Sequence, residues 1–150
     1  MTTAYFDTSA IIPLIVEELG SNEAKELWRE ADRVVSARIV YAEGHAALAL
    51  AVRTGRLRAG ELKGALRELV GHYEELYLVE ISDLLVRRAG ALAEQYSLRG
   101  DDSIHLAAAE MSQDETPLVF VAGDVGLCEA AGRIGLDVVR MAGGWPNSRL

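Results

Sequence analysis

Where the strongest apolar runs stop is what most constrains this chain. Ala4-Tyr5-Phe6 leads without a polar residue into one carboxylate, Asp7, and Leu118-Val119-Phe120-Val121-Ala122 leads through Gly123 into another, Asp124. Unbroken apolar runs of this length belong to strands covered on both faces, the environment of a parallel sheet between layers of helices. In such a sheet the carboxyl ends of the strands share one edge, and ligands bind in the crevice there. Both acids precede helix-like sequence. They are therefore expected at the same edge, whatever the strand order.

The rest of the chain alternates in the same way. Residues 11–16 predict a short helix with Pro13 in its first turn, where a missing N–H does least harm. After the break Gly20-Ser21-Asn22, Ser21 or Asn22 is placed to cap a helix through residue 31, with Leu27 and Trp28 on its buried side. Residues 34–37 read as a strand and 39–53 as a long alanine-rich helix closed by Thr54-Gly55. A helix over 58–73 carries Leu62, Leu66, Leu69 and Val70 at helical spacing, and 76–81 alternate like a strand. Ser82 caps a helix over 83–96, Arg99-Gly100 closes the turn beyond it, and Asp101 or Asp102 opens the next helix, through 111. A helix from Gly123-Asp124 to Gly132 or Gly135, a last strand over 138–141 and a loop-like Gly143-Gly144-Trp145-Pro146 follow. No repeat or linker interrupts this pattern. The fold class is α/β, a three-layer α/β/α arrangement with a mostly parallel central sheet in a single domain over 1–150.

A chain of 150 residues, half of them hydrophobic, buries roughly 70% of the surface its unfolded form exposes. Its formal net charge of -8 opposes broad attraction to a polyanion but leaves room for a local nucleic-acid site. Cys128 is the single cysteine, so no intramolecular disulfide forms, and its apolar neighbours predict a buried, inert thiol. No basic stretch precedes the first apolar run and no apolar segment is long enough to span a bilayer. A cytoplasmic location without a membrane partner is expected.

Two further acids stand in telling places. Asp102 lies at the start of the helix Ser103-Ile104-His105-Leu106-Ala107-Ala108, where the dipole favours negative charge. Glu43 sits one turn into the long helix between Ala42 and Gly44. Each acid has a plain structural role open to it: helix caps for Asp7 and Asp124, the dipole for Asp102, solvation for Glu43. Brought together, they pose an electrostatic problem. Two carboxylates about 4 Å apart repel by roughly 4 kcal/mol at an effective dielectric of 20, so a cluster must take up protons or hold a cation. All-oxygen donors suit Mg²⁺ or Mn²⁺ rather than Zn²⁺. A cation so held can offset the charge of a phosphodiester and lower the pKa of water. Metal-assisted phosphodiester hydrolysis is the chemistry that follows.

The histidines offer a metal-free alternative. His45 and His105, among alanines and leucines, read instead as satisfied core or partly buried imidazoles, and His72 after Gly71 as a surface residue. No phosphate-cradling G-x-x-x-x-G-K-[ST] occurs and no G-x-G-x-x-G follows a strand. Ser9 stands where a phosphoaspartyl hydrolase would carry the second acid of its D-x-D.

Asp7-Thr8-Ser9-Ala10 after the first strand, Glu43 in the helix after the second, Asp102-Ser103-Ile104-His105-Leu106-Ala107, and a strand ending at Asp124 before Leu127 together resemble the PIN domain. More narrowly, they resemble the VapC-type ribonuclease toxins of type II toxin–antitoxin systems, over nearly the whole chain. The resemblance implies that Asp7, Glu43, Asp102 and Asp124 form an acidic quartet holding Mg²⁺ or Mn²⁺, with Thr8 or Ser9 supplying a hydroxyl that orders the site. Asp102 is preferred to Asp101 because it stands three residues before His105, as the family's acid does, which leaves Asp101 as the N-cap. One departure is Ala122, where the family commonly has Thr or Ser two residues before its fourth acid. It leaves open whether Asp124 binds the metal directly or through water. The resemblance also implies a homodimer and a cognate antitoxin that blocks the site.

The resulting expectation is a Mg²⁺- or Mn²⁺-dependent endoribonuclease leaving a 5′-phosphate and a 3′-hydroxyl. Asp7 and Asp102 would be the principal ligands, and Glu43 and Asp124 supporting ligands or orienters of the attacking water. A nuclease acting on DNA or processing RNA at the same site is the rival enzyme, and a non-catalytic module whose acids receive an arginine is the rival of another class. An inhibitory partner is expected to place an arginine against the four acids and to lie along apolar helix faces near residues 11–16 and 46–52.

Overall fold

In the computed structural model residues 2–142 are described, so the tail Gly143–Pro146 lies outside them. Five strands, β1 (Thr3–Phe6), β2 (Arg33–Ala37), β3 (Tyr77–Val79), β4 (Leu118–Ala122) and β5 (Asp137–Arg140), form one sheet in the order β3-β2-β1-β4-β5. Every neighbouring pair is parallel, with Tyr5 in register with Val35 on one side and Phe120 on the other. The helices are α1 (Thr8–Ile11), α2 (Ser21–Glu30), α3 (Val40–Arg53), α4 (Leu62–Glu75), α5 (Asp83–Tyr96), α6 (Gly100–Met111) and α7 (Val125–Arg133).

Strand pleating sends successive side chains to opposite faces, and the two faces bury different helices. Tyr5, Val35, Phe120 and Ala122 pack with Leu85 and Leu92 of α5, Leu106 of α6 and Leu127 of α7. Phe6, Val34 and Val121 pack with Ile11, Ala24 of α2, Leu48 of α3 and Leu69 of α4. The expected α/β/α layering is therefore present. On the second face α3 and α4 approach closely, because a Cβ on Gly44 would lie 2.7 Å from a methyl of Leu69. Among the described residues no helix is long and apolar enough to cross a membrane.

Several boundaries move for identifiable reasons. The first helical turn starts at Thr8 and passes at Ile12–Leu14 into a 3₁₀ turn that takes Pro13. Ser21 does not cap α2: Gly20 is in that position, and the Ser21 hydroxyl closes the preceding loop by donating to the Val16 carbonyl and accepting from the Glu18 N–H. Asp101 is not the N-cap of α6. The extended backbone at Arg99 makes it the N-cap and puts the start at Gly100, two residues earlier than a cap at Asp101 would, and both acids fall within the first turn. A 3₁₀ turn at Ala59–Glu61 precedes α4. The strand expected over 76–81 shortens to Tyr77–Val79, because β2 turns away after Ala37 and leaves later residues nothing to pair with. His72 is not a surface residue either; it is half-buried edge-on against Trp28, with ring centroids 4.9 Å apart.

Candidate active site

The chain leaves β1 toward β2 and β3 on one side, then returns to β4 and β5 on the other. The crevice between the carboxyl ends of β1 and β4 is thus a topological switch point, the place where open α/β sheets bind ligands. Asp7 is the first residue beyond β1. Its N–H is held by the Val121 carbonyl, and it caps α1 through a carboxylate oxygen that accepts the Ala10 N–H at 3.2 Å. That oxygen also accepts the Ser9 hydroxyl at 2.6 Å, and the Ser9 oxygen accepts the Gly123 N–H at 2.9 Å. Ser9 therefore ties the turn after β1 to the turn after β4.

Glu43, in the first turn of α3, accepts the Thr8 hydroxyl at 2.8 Å and lies 2.6 Å from Nε2 of His105. The other ring nitrogen, Nδ1, is 2.8 Å from the Tyr5 hydroxyl. The Tyr5 phenol is raised well above its ordinary range, by burial first and by the Asp7 charge next. It stays protonated, so beside a neutral imidazole it can donate to Nδ1 and leave Nε2–H to donate to Glu43, whereas in the charged imidazolium both ring N–H groups donate and the Tyr5 oxygen accepts. His105 is buried, as the sequence suggested, but it also belongs to the site. Burial favours its neutral form, yet the hydrogen bond and charge of Glu43, with Asp7 and Asp102, outweigh that and raise its pKa.

Asp102, in the first turn of α6, is 3.6 Å from the Arg99 guanidinium, which also meets Asp101 at 3.2 Å. Asp124 caps α7 by accepting the Leu127 N–H at 2.8 Å. Ala122 is wholly buried on the α5–α7 side of the sheet. The hydroxyl that reaches the segment before Asp124 comes instead from Ser9. Cys128 is buried near Ala122, its thiol pushed up to about 12, chiefly by burial and then by Asp7 and Asp124. His45 lies off this cavity, with Nδ1 at the Tyr41 carbonyl.

All four acids line one cavity of about 380 Å³, together with Thr8, Ser9 and His105. Its other walls are Ile12, Ala46, Ala47 and Leu50, with Arg53, Arg99 and Asp101. Neither the two arginines of this cavity nor Tyr5, which lies behind it and reaches it through His105, carries a local sequence signal. Burial lifts the Asp7 carboxyl to about 6, with Glu43 adding to the rise while His105 and Ser9 oppose it. Burial, then Asp101 and Asp7, lift Asp102 to about 7 against Arg99.

These shifts carry a stability consequence. Both carboxyls bind protons more tightly in the folded chain than in the unfolded one, so their effect destabilises the fold as the pH rises from about 4 through about 7. His105, also raised, loses its contribution in the same direction. In chelator, Tm should fall between pH 5 and 8, and Asp7→Asn should flatten that fall by an amount equivalent to roughly 1.4 kcal/mol, the one unit or so of the Asp7 shift that lies above pH 5. A wild-type Tm rising across this window, with the same slope in the variant, would contradict the shifts.

The donor chemistry fits a hard divalent cation: four oxygen-bearing acids facing one cavity, two of them burdened by desolvation and like charge. Among the described residues no three acids or histidines are already arranged to hold a metal ion. Asp7, Glu43 and Asp124 are each engaged by protein donors, so coordination needs these side chains to draw together.

Comparison with known proteins gives the same fold. Residues 4–132 match the PIN domain, and the chain belongs to that family. Ribonuclease VapC45 of Mycobacterium tuberculosis is 39% identical over 109 residues, which is 73% of this chain and 76% of the relative. The fold is shared with PAE2754 from Pyrobaculum aerophilum, at a TM-score of 0.67 and 20% identity over 92% of this chain and 91% of that one. It is shared also with VapBC-5 of Mycobacterium tuberculosis, of the VapBC family of toxin–antitoxin systems, at a TM-score of 0.61 and 15% identity over 94% of this chain and all of that one.

Proposed function

We propose that this chain is a Mg²⁺- or Mn²⁺-dependent endoribonuclease and the toxin of a toxin–antitoxin pair. The observation that carries this reading is the convergence of Asp7, Glu43, Asp102 and Asp124 on one cavity at the switch point of a PIN-domain sheet. The name of the VapC45 relative supports RNA as the substrate, and the fold shared with VapBC-5 is in keeping with an antitoxin partner. Asp7 and Asp102 would be the principal ligands, with Glu43 and Asp124 supporting ligands or orienters of water. A bound divalent cation would offset phosphodiester charge and make water a better nucleophile near neutral pH.

The chain's own groups do the positioning. Ser9 holds the Asp7 carboxylate and the Gly123 backbone in one arrangement. Thr8 and His105 fix Glu43 at the cavity wall, where it can take a proton from an attacking water. The antitoxin would seat an arginine among the four acids and apolar side chains against Ile12, Ala46, Ala47 and Leu50.

A direct test offers the purified chain single-stranded RNA and DNA of the same sequence with Mg²⁺ or Mn²⁺. RNA should be cut at least about a hundredfold faster. Equal or faster cleavage of DNA would favour the rival nuclease, and no cleavage of either would favour a binding module.

A further inference from the structure

We propose that Arg53 binds a phosphate of the substrate RNA, so that the strand lies along the face of α3 that runs from Glu43 to Arg53. The inference rests on the ribonuclease reading above and adds where the strand goes.

Glu43, Ala46, Ala47, Leu50 and Arg53 all line the cavity. Their spacing of three and four residues places them on one face of a helix, which at 1.5 Å per residue covers about 15 Å from Glu43 to Arg53. Along that face the chemistry changes from a carboxylate, through small and apolar side chains, to a guanidinium. The acids mark the reacting end. The apolar floor can lie against a ribose or base without a competing charge. The far end offers the group that best matches a phosphate, a planar fork of N–H donors.

Charge decides between the cavity's two guanidiniums. Arg99 is held by Asp101 and Asp102 at the acidic end. Arg53 is exposed, and its guanidinium makes no hydrogen bond or ion pair among the described residues. The helix dipole explains a cation in the last turn of α3 but not why it faces the cavity. On a chain of net charge -8, a polyanion gains little from the protein as a whole, so a cation at the far end of the cavity has a large share in holding the strand.

The test uses a short RNA that the wild type cuts at one place. Arg53→Ala should raise KM about tenfold with kcat within about twofold. Binding of the same RNA in the cleavage-deficient Asp102→Asn background should lose about 0.7 from the slope of log K against log salt. Arg53→Lys should keep the slope. Replacing the RNA's phosphates singly by neutral methylphosphonates should reveal one position, away from the cut, that matters to the wild type and not to Arg53→Ala. Unchanged KM and salt slope in Arg53→Ala, while the wild type cuts RNA, would overturn this role and leave the ribonuclease reading standing. So would a variant altered only in binding a protein inhibitor, which would make the same face a docking surface for protein. Failure of the wild type to bind or cut RNA would defeat both.

Discussion

Asp7→Asn and Asp102→Asn should each lower RNA cleavage by at least about a thousandfold while leaving the metal-free fold intact and somewhat more stable. The two effects have one cause. Asp7 is 5% exposed and Asp102 is half-buried, and each carries desolvation plus the charge of its acidic neighbours. An amide keeps the shape and removes the charge. For Asp7 it preserves an oxygen that can cap α1 and accept from Ser9. Cleavage and Tm, measured on the same samples in chelator and in Mn²⁺, check both halves. Wild-type cleavage in either variant would remove that acid from the site. A lower Tm in chelator would show that the carboxylate is a structural cap before anything else.

The second large effect concerns the cation. Mn²⁺ or Mg²⁺ should raise the wild-type Tm by mass action, by an amount equivalent to about 2.7 kcal/mol at a hundred times the dissociation constant. The same ions should barely move Asp7→Asn or Asp102→Asn. Because Glu43 is engaged by Thr8 and His105, binding should also shift the His105 imidazole resonances, which a surface-bound ion would leave alone. Equal Tm gains in the wild type and both variants would place the cation elsewhere.

The sequence revealed the sheet edge well because its signal is local: an apolar run, then one acid, then a helix start. It revealed less about what the acids do, since the structural and chemical roles coincide. Asp7 and Asp124 are helix caps, as a plain reading would have them, and they also line the cavity. His105 looked like core because it is core. Its part in the site depends on Glu43, 62 residues away, and on Tyr5, 100 residues away, which no local pattern encodes. Arg53 stands at a helix end with no local pattern to mark it, and only the packing of α3 along the cavity distinguishes it. Asp101 was misplaced as a cap because α6 gains a turn residue at Gly100, set by the extended backbone of Arg99 rather than by a capping side chain.

The most direct measurement of the central claim is the end chemistry of the RNA products, taken with and without chelator. If the four acids act through a divalent cation, cleavage by the wild type should stop in excess EDTA, return with Mn²⁺ or Mg²⁺, and leave 5′-phosphate and 3′-hydroxyl ends. Full activity in chelator with 2′,3′-cyclic phosphate ends would contradict that claim and assign the reaction to histidine acid–base chemistry, with His105 the first residue to examine.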